Sequence, residues 1–575
     1  MTMPNAFRWL RKYFALLVIA AAFIWSAATI FMRQNPEASP GITVLRIGHW
    51  QLETGMRDAF EQMAADYHEL HPDVVVLQEA VPVSIYPTWL NTNLVGGSAP
   101  DILEIPNEGH IPDDILIQYY NRYFLILSPY VSQANPYNKG TKLEGLPLRR
   151  TYRDGMRAAY AEELQEYMSI PLSLFSARIF YNKNLLKKLT GSSEAPSGYR
   201  EFLAACAKIK SQKDERGKYY VPIAAAKESM WAWDSMMFDP ITYPALRRTD
   251  FSRDGTVSDD EMYTAFKTGR INFQFPAFKA RYKITREITE YFPEGFTGLT
   301  LDDTVFSFAQ QRSVFLSTGT WDARSLQSQA DHNFEIGVMD FPLPGKDDPE
   351  YGAFIEGPKY EEIKGGLPFG ITRSSKHKEI ALDFLFFMVG QKQNEALNKK
   401  MGLMPVIEGA ETDPFFAAFA PHLEGVYAVM HIDIGGETRN KFEQLYPLYL
   451  CGKISYETFV AEFEPFYINQ GLKDWQEKER DWRRALLMNE QLLGGMRAAA
   501  LISNWTNAGD AESKWVKYRA MTRARQVMPE IDHNRKVQLI EKGPAPNSTG
   551  PYEYSDEVLK KIRARVKEES MPVKK

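Results

Sequence analysis

The stretch from Thr43 to Leu77 limits the fold more than any other part of the chain. Thr43–His49 (TVLRIGH) reads as a strand. Gly55–Leu70 sets Met56, Phe60, Met63 and Tyr67 three or four residues apart, the spacing of an amphipathic helix. His71-Pro72-Asp73 stops that helix, and Val74–Leu77 (VVVL) reads as a strand buried on both faces. Strand, helix and strand in so short a span make a βαβ unit, which requires a parallel sheet covered by helices. At roughly 150 residues per domain, 575 residues provide three or four domain-sized units, enough to bury such a sheet.

The pattern recurs. Ile102–Ile105 is a short strand after the turn Gly96–Pro100, and Ile179–Tyr181, Glu335–Met339 and Gly370–Thr372 read as further strands. Pro196–Lys210 and Ser374–Val389 read as helices, the second capped by Ser374 or Ser375. Past about residue 475 the texture changes. Asp474–Ala500 and Ala511–Arg525 are rich in Trp, Arg, Glu and Ala at helical spacing, a turn-rich stretch follows Gly543, and Asp556–Glu569 reads as a short charged helix.

The N-terminus sets the compartment. Arg8, Arg11 and Lys12 precede an uncharged run, Tyr13–Met32, of 20 residues. That length crosses a bilayer core as one helix, and the basic cluster holds its near end in the cytoplasm. Ser26-Ala27-Ala28 is a poor cleavage site and no cysteine follows for lipidation, so residues 1–33 are expected to be an uncleaved signal anchor. Asn35–Gly41 is its linker.

Composition removes several classes of function. Lys and Arg number 68 against 73 Asp and Glu, for a net charge of −5, which excludes a strongly basic nucleic-acid binder. Two cysteines, Cys206 and Cys451, rule out a disulfide framework or an all-cysteine metal site. There is no GxSxG, HExxH or GxxxxGK[ST] motif.

Seven motifs in order resemble the extracellular solute-binding proteins of ABC importers, the group of maltose- and oligosaccharide-binding proteins. They are the strand ending His49-Trp50-Gln51-Leu52-Glu53; the His-Pro-Asp turn and valine strand His71–Leu77; Gly96–Asp101 (GGSAPD); Pro171–Lys183 ending Tyr-Asn-Lys; Pro196–Phe202; Thr318–Asp322 with its Gly-x-Trp turn; and Gly365–Ser375 with Gly402–Val406. The resemblance implies an α/β, two-lobed periplasmic-binding-protein type II fold with ligand in the interlobe cleft. The expected division is 42–175 with 370–410 as the N-lobe, 176–369 with 411–474 as the C-lobe, and 475–575 as a helical C-terminal extension. The crossings are expected near Ser173–Arg178 and Pro368–Thr372. Nothing in the resemblance covers the extension.

A saccharide presents C–H faces to aromatic rings and a rim of hydroxyls to carboxylates. Trp50 lies where open α/β sheets bind ligands, at a strand's C-terminal end. Trp321, in the Gly-x-Trp turn, and Trp231 and Trp233, in MWAWD, are the other candidate rings; for each the alternative is a core position. Glu53, Glu104, Asp234 and Asp322 are the candidate polar partners, the alternative being ordinary surface charges.

Asp250–Glu261 (DFSRDGTVSDDE) matches a twelve-residue calcium loop, with Asp250, Ser252, Asp254, the Thr256 carbonyl, Ser258 and bidentate Glu261 as ligands and Gly255 at the turn. Pro244 just upstream argues against an incoming helix, so a structural Ca2+ loop on one lobe is expected, and an acidic Asp-Gly turn is the alternative. Function is thus expected to be saccharide capture by a membrane-tethered, extracytoplasmic receptor that serves ABC permease subunits, with no nucleic-acid partner. The alternatives are a tethered glycoside-acting enzyme with two carboxylates across the cleft, and a ligand sensor signalling through the C-terminal extension.

Overall fold

A computed structural model describes residues 41–52, 55–106, 113–161, 164, 166–253, 255–331, 333–361, 364–430, 432, 434–506 and 508–544. The expected anchor, Glu53, Asp254 and the charged helix 556–569 lie outside the described residues.

The chain opens with β1 (Thr43–His49), α1 (Met56–Leu70) and β2 (Val74–Ala80). β1 and β2 pair in parallel, Thr43 beside Val74. Met56, Phe60, Met63 and Tyr67 of α1 are all buried, as their spacing requires. Gly55 starts the helix at φ 87; a Cβ there would meet the Lys400 carbonyl oxygen at 2.8 Å, so only glycine fits. Next come α2 (Tyr86–Gly96), β3 (Ile102–Glu104), α3 (Asp113–Tyr123) and β4 (Ile170–Phe175).

The chain then passes to a second sheet. It carries β5 (Ala177–Asn182), α4 (Lys183–Thr190), α5 (Tyr199–Lys210) and β6 (Val221–Ala224). Helices α6 (Asp239–Leu246), α7 (Asp259–Lys267), α8 (Pro276–Thr289) and α9 (Leu301–Ala309) follow. The lobe is completed by β7 (Ser313–Gly319), α10 (Thr320–Ala330) and β8 (Ile336–Met339). The chain returns with β9 (Lys364–Ile371), α11 (Lys378–Met388), α12 (Gln391–Met401) and β10 (Met404–Pro405).

The first sheet has the order β10-β4-β9-β3-β1-β2 and the second β8-β5-β7-β6. Each is mixed. β1 pairs in parallel with β2 and β3, whereas β9 runs antiparallel to β3 and β4; β6 and β7 are parallel, and β5 is antiparallel to β7. The sheet change falls between Phe175 and Ala177. The return falls between Met339 and Lys364, upstream of the expected Pro368–Thr372, because β9 has already joined the first sheet eight residues long. Two other boundaries move for local reasons. α11 begins at Lys378, not after a serine cap, because Ser375 donates to Asp101 Oδ1 (2.6 Å) and accepts from the His377 amide (3.0 Å). The helix excluded on account of Pro244 is present: α6 contains Pro244, which removes one internal N–H while Ile241, Ala245 and Leu246 stay buried.

The described chain ends in helices. α13 (Gly436–Leu450) packs on α14 (Tyr456–Thr506), a single helix of 51 residues. α15 (Ala508–Thr522) folds back along it, and after a π-turn at Arg523–Val527 comes α16 (Met528–Lys542). α16 returns to the second lobe. Lys267 Nζ donates to the Ile540 carbonyl (3.0 Å), and His533 stacks on Trp482 at 3.9 Å between ring centroids. Among the described residues no helix is long and apolar enough to cross a membrane.

Candidate functional site

The end of β1 is built inward. His49 is fully buried; its Nδ1 accepts from the Gln51 amide (3.2 Å), which leaves Nε2–H to face Gln78 Oε1 (3.0 Å), and its ring stacks on Phe60. Burial lowers its pKa to about 4. Glu104, at the end of β3, is also fully buried and accepts from Gln51 Nε2 (2.5 Å) and the Trp50 amide (3.2 Å). It therefore positions the Trp50–Gln51 segment. The Trp50 indole rests edge-on against Tyr86, ring centroids 4.9 Å apart.

The end of β7 is built outward. Gly319 leads into α10, and the next residue but one, Trp321, is half-buried with its ring edge-on to Phe175, the last residue of β4 in the other sheet, at 5.7 Å. Trp231, 50% exposed, faces Trp321 at 6.2 Å with 31° between ring planes. Asp322 lies beside this pair. Its Oδ2 accepts from Thr318 Oγ1, and burial raises its carboxyl above the usual range. Trp231, Trp321, Asp322 and Phe175 thus meet where the two sheets exchange the chain.

Trp50 and Glu104 at the end of β1 are not in that group, and neither are two further expected ligand residues, Trp233 and Asp234. Trp233 is fully buried, its Nε1 donating to Ser317 Oγ (2.9 Å) and its ring among Phe238, Phe292 and Phe341. It is a core residue because the single turn Met230–Trp233 points residues two apart to different sides. Asp234 Oδ1 accepts from Arg281 Nη2 (2.7 Å) and the Tyr446 hydroxyl (3.1 Å), an internal network shared with Asp239.

Sequence reasoning missed the residue that ties the lobes. Arg178, on β5, is fully buried. Its guanidinium donates to Ser176 Oγ (2.9 Å) and Glu361 Oε2 (3.0 Å), and to the Ala418 (3.0 Å) and Ala420 (2.7 Å) carbonyls, with Asp340 Oδ1 at 2.9 Å. These partners come from three segments: the crossing at Ser176, the return that holds Asp340 and Glu361, and the stretch after β10 that holds Ala418 and Ala420. An arginine inside an apolar strand was the available signal, since a buried guanidinium requires several acceptors.

In the Asp250–Glu261 loop, Asp250 accepts from the Arg253 (2.5 Å) and Gly255 (3.0 Å) amides. Ser252 N (2.7 Å) and Ser258 N (3.1 Å) donate to Glu261, and Arg535 Nη1 of α16 lies 3.4 Å from its Oε1. Glu261 caps the first turn of α7. Thr256 and Ser258 line, with Tyr243 and Tyr427, a cavity of about 370 Å3 outside the aromatic group.

A family model described as bacterial extracellular solute-binding protein matches residues 53–395, more than half of the chain. The chain belongs to this family. Members bind solutes and are not enzymes, so this solute-binding protein works by capture and release. An uncharacterized ABC transporter extracellular-binding protein of Pyrococcus horikoshii is 20% identical over 426 residues, 70% of this chain and 82% of its own. The maltodextrin-binding domain MalE of Bdellovibrio bacteriovorus, bound to maltotriose, superposes with a TM-score of 0.51 at 14% identity, covering 76% of this chain and all of that one. Apo RafE of Streptococcus pneumoniae gives 0.51 at 18%, covering 75% and 99%. At such identities the likeness establishes the two-lobed solute-binding fold; about a quarter of the chain lies beyond the aligned part in each case.

Proposed function

We propose that this protein captures a saccharide between its lobes and presents it to an ABC importer. The observation that carries this reading is the aromatic group at the lobe junction. The Trp231–Trp321 pair offers ring faces for the C–H faces of a sugar, and Asp322 adds a rim acceptor. The P. horikoshii relative is named for an ABC transporter, and the MalE domain bound to maltotriose supplies a sugar-binding precedent on the same fold. A thermal-shift screen of the purified protein against a glycan panel tests it, because a ligand of the native state raises the melting temperature. A panel with no stabilising glycan, or turnover of any glycan, overturns it.

The receptor is tethered by Tyr13–Met32 and works outside the cytoplasm. Loss of the protein from membranes at high salt, with a mature N-terminus near Ala28, would sink that part. Closure bends the segments held by Arg178, so X-ray scattering should show compaction with saturating ligand. Calcium in the Asp250–Glu261 loop is a separate proposal. It requires Glu261 to exchange Arg535 and its amide donors for the ion, and chelation lowers the melting temperature only if that exchange occurs.

A second reading, ligand sensing through the extension, has its own support. α16 is held to the second lobe by Lys536–Asp260 (3.8 Å) and Arg535–Glu261, while buried Arg525 donates to Asn121 of α3 in the first lobe. The extension therefore touches both moving parts. Arg525→Gln should alter the ligand-induced change in scattering; unchanged closure would remove this reading.

A further inference from the structure

The distal end of the α14–α15 hairpin carries an apolar patch that the lobes do not cover. Trp505 is 82% exposed, and Leu501, Ile502 and Val516 are exposed with it. Leu501, Ile502 and Trp505 share one face of α14 by their three- and four-residue spacing. Lys514 Nζ donates to Ser503 Oγ (2.6 Å) and Trp515 Nε1 to Asn504 Oδ1 (3.3 Å), a register that sets Val516 of α15 level with Leu501 and Ile502. The patch is not a packing fault of the hairpin, whose inner positions Ala500, Ser503, Ala511 and Met521 are buried. An almost fully exposed tryptophan beside exposed aliphatics marks a contact surface.

Charge selects the occupant. Residues 494–522, which lead up to the π-turn, hold four basic side chains, Arg497, Lys514, Lys517 and Arg519, against Asp510 and Glu512. The rest of the chain then has 64 basic against 71 acidic residues. An anionic surface attracts this hairpin and repels the remainder of the body, whereas a second copy would bring two like-charged hairpins together. A tryptophan with aliphatics, flanked by Arg497 and Lys517, is the composition that settles at a headgroup–acyl boundary.

We propose that the α14–α15 hairpin end docks on the surface of an anionic lipid bilayer, with Trp505 at the interface. This contact requires neither the sugar site nor the N-terminal tether. It gives the receptor a second membrane contact, carried by the part of the chain that the family match leaves out.

The test uses the full chain with vesicles of phosphatidylcholine, with and without phosphatidylglycerol. A polarity-sensitive dye is placed at Trp505→Cys in a Cys451→Ser background, Cys206 being fully buried. Tyr219→Cys, at a residue 62% exposed just before β6 in the second lobe, is the control. The expected result is a blue shift at position 505 with phosphatidylglycerol only, none at 219, and loss of the shift in 1 M salt, where the screening length falls to about 3 Å. Arg497→Glu with Lys517→Glu should abolish it as well. Co-sedimentation reports the tether separately, and the dye is read whether or not the tether holds. Equal emission in both vesicles overturns the proposal. A shift that grows with protein concentration in lipid-free solution overturns it too, assigning the face to a second copy.

Discussion

The ends of β1 and β7 read alike in the sequence and are built in opposite ways. Each is a buried strand that runs into a tryptophan, Trp50 or Trp321, and in the fold each has a carboxylate close by, Glu104 or Asp322. At β1 the polar groups turn inward, and His49, Gln51 and Glu104 satisfy one another while Trp50 leans on Tyr86. At β7 the tryptophan turns toward Trp231 and toward Phe175 of the other sheet. A strand end can therefore contribute to a binding site as a rigid frame or as a contact surface. What separates the two is whether neighbouring elements supply buried donors for the carboxylate. Trp231 and Trp233 repeat the contrast over two residues, one half exposed and the other in the core.

The largest expected effect tests the core member. Trp233→Ala should cost about 4 kcal/mol of unfolding free energy in denaturant titration, through lost transfer energy and the cavity left behind. A loss below about 1 kcal/mol would mean that Trp233 is not packed as described.

The next effect probes the frame. His49 has its pKa lowered to about 4 from 6.5, because burial disfavours the imidazolium. The unfolded chain binds a proton below pH 6.5 that the folded chain refuses. Stability is therefore fully present above about 6.5 and is lost as pH falls toward about 4. The full shift corresponds to about 3 kcal/mol. Denaturant midpoints measured across this range should slope less in His49→Gln than in the wild type. Equal slopes would show that another group carries the acid dependence.

How much of this the sequence makes legible follows from range. The βαβ opening is readable because three-to-four spacing in α1 and the valine run of β2 are local, and both elements form; β2 is not buried on both faces as expected, because it is the edge strand of its sheet and leaves Leu77 exposed. The ring of Trp321 is readable because a short turn decides its direction. The inward turn of Glu104 is not, because its donors, Gln51 and the Trp50 amide, lie more than fifty residues away. Arg178 is hidden for the same reason: its acceptors come from three separate chain segments. Helix α6 is hidden in the sequence by Pro244, a breaker by local rule, because burial of its neighbours outweighs one missing hydrogen bond.

The smallest effect in stability is the most telling about function, and it falls on Trp231. Half its surface is exposed, so Trp231→Ala should change unfolding free energy by no more than about 0.5 kcal/mol. If its ring and that of Trp321 form the sugar platform, the same substitution should weaken binding of a stabilising glycan about tenfold, or about 1.4 kcal/mol. Trp231→Phe should recover part of that loss, since a smaller ring still stacks. Calorimetric titration separates the two quantities in one set of proteins. Affinity unchanged in Trp231→Ala would move the site off the second lobe's aromatic pair and toward Trp50, the ring that the frame at β1 holds against Tyr86.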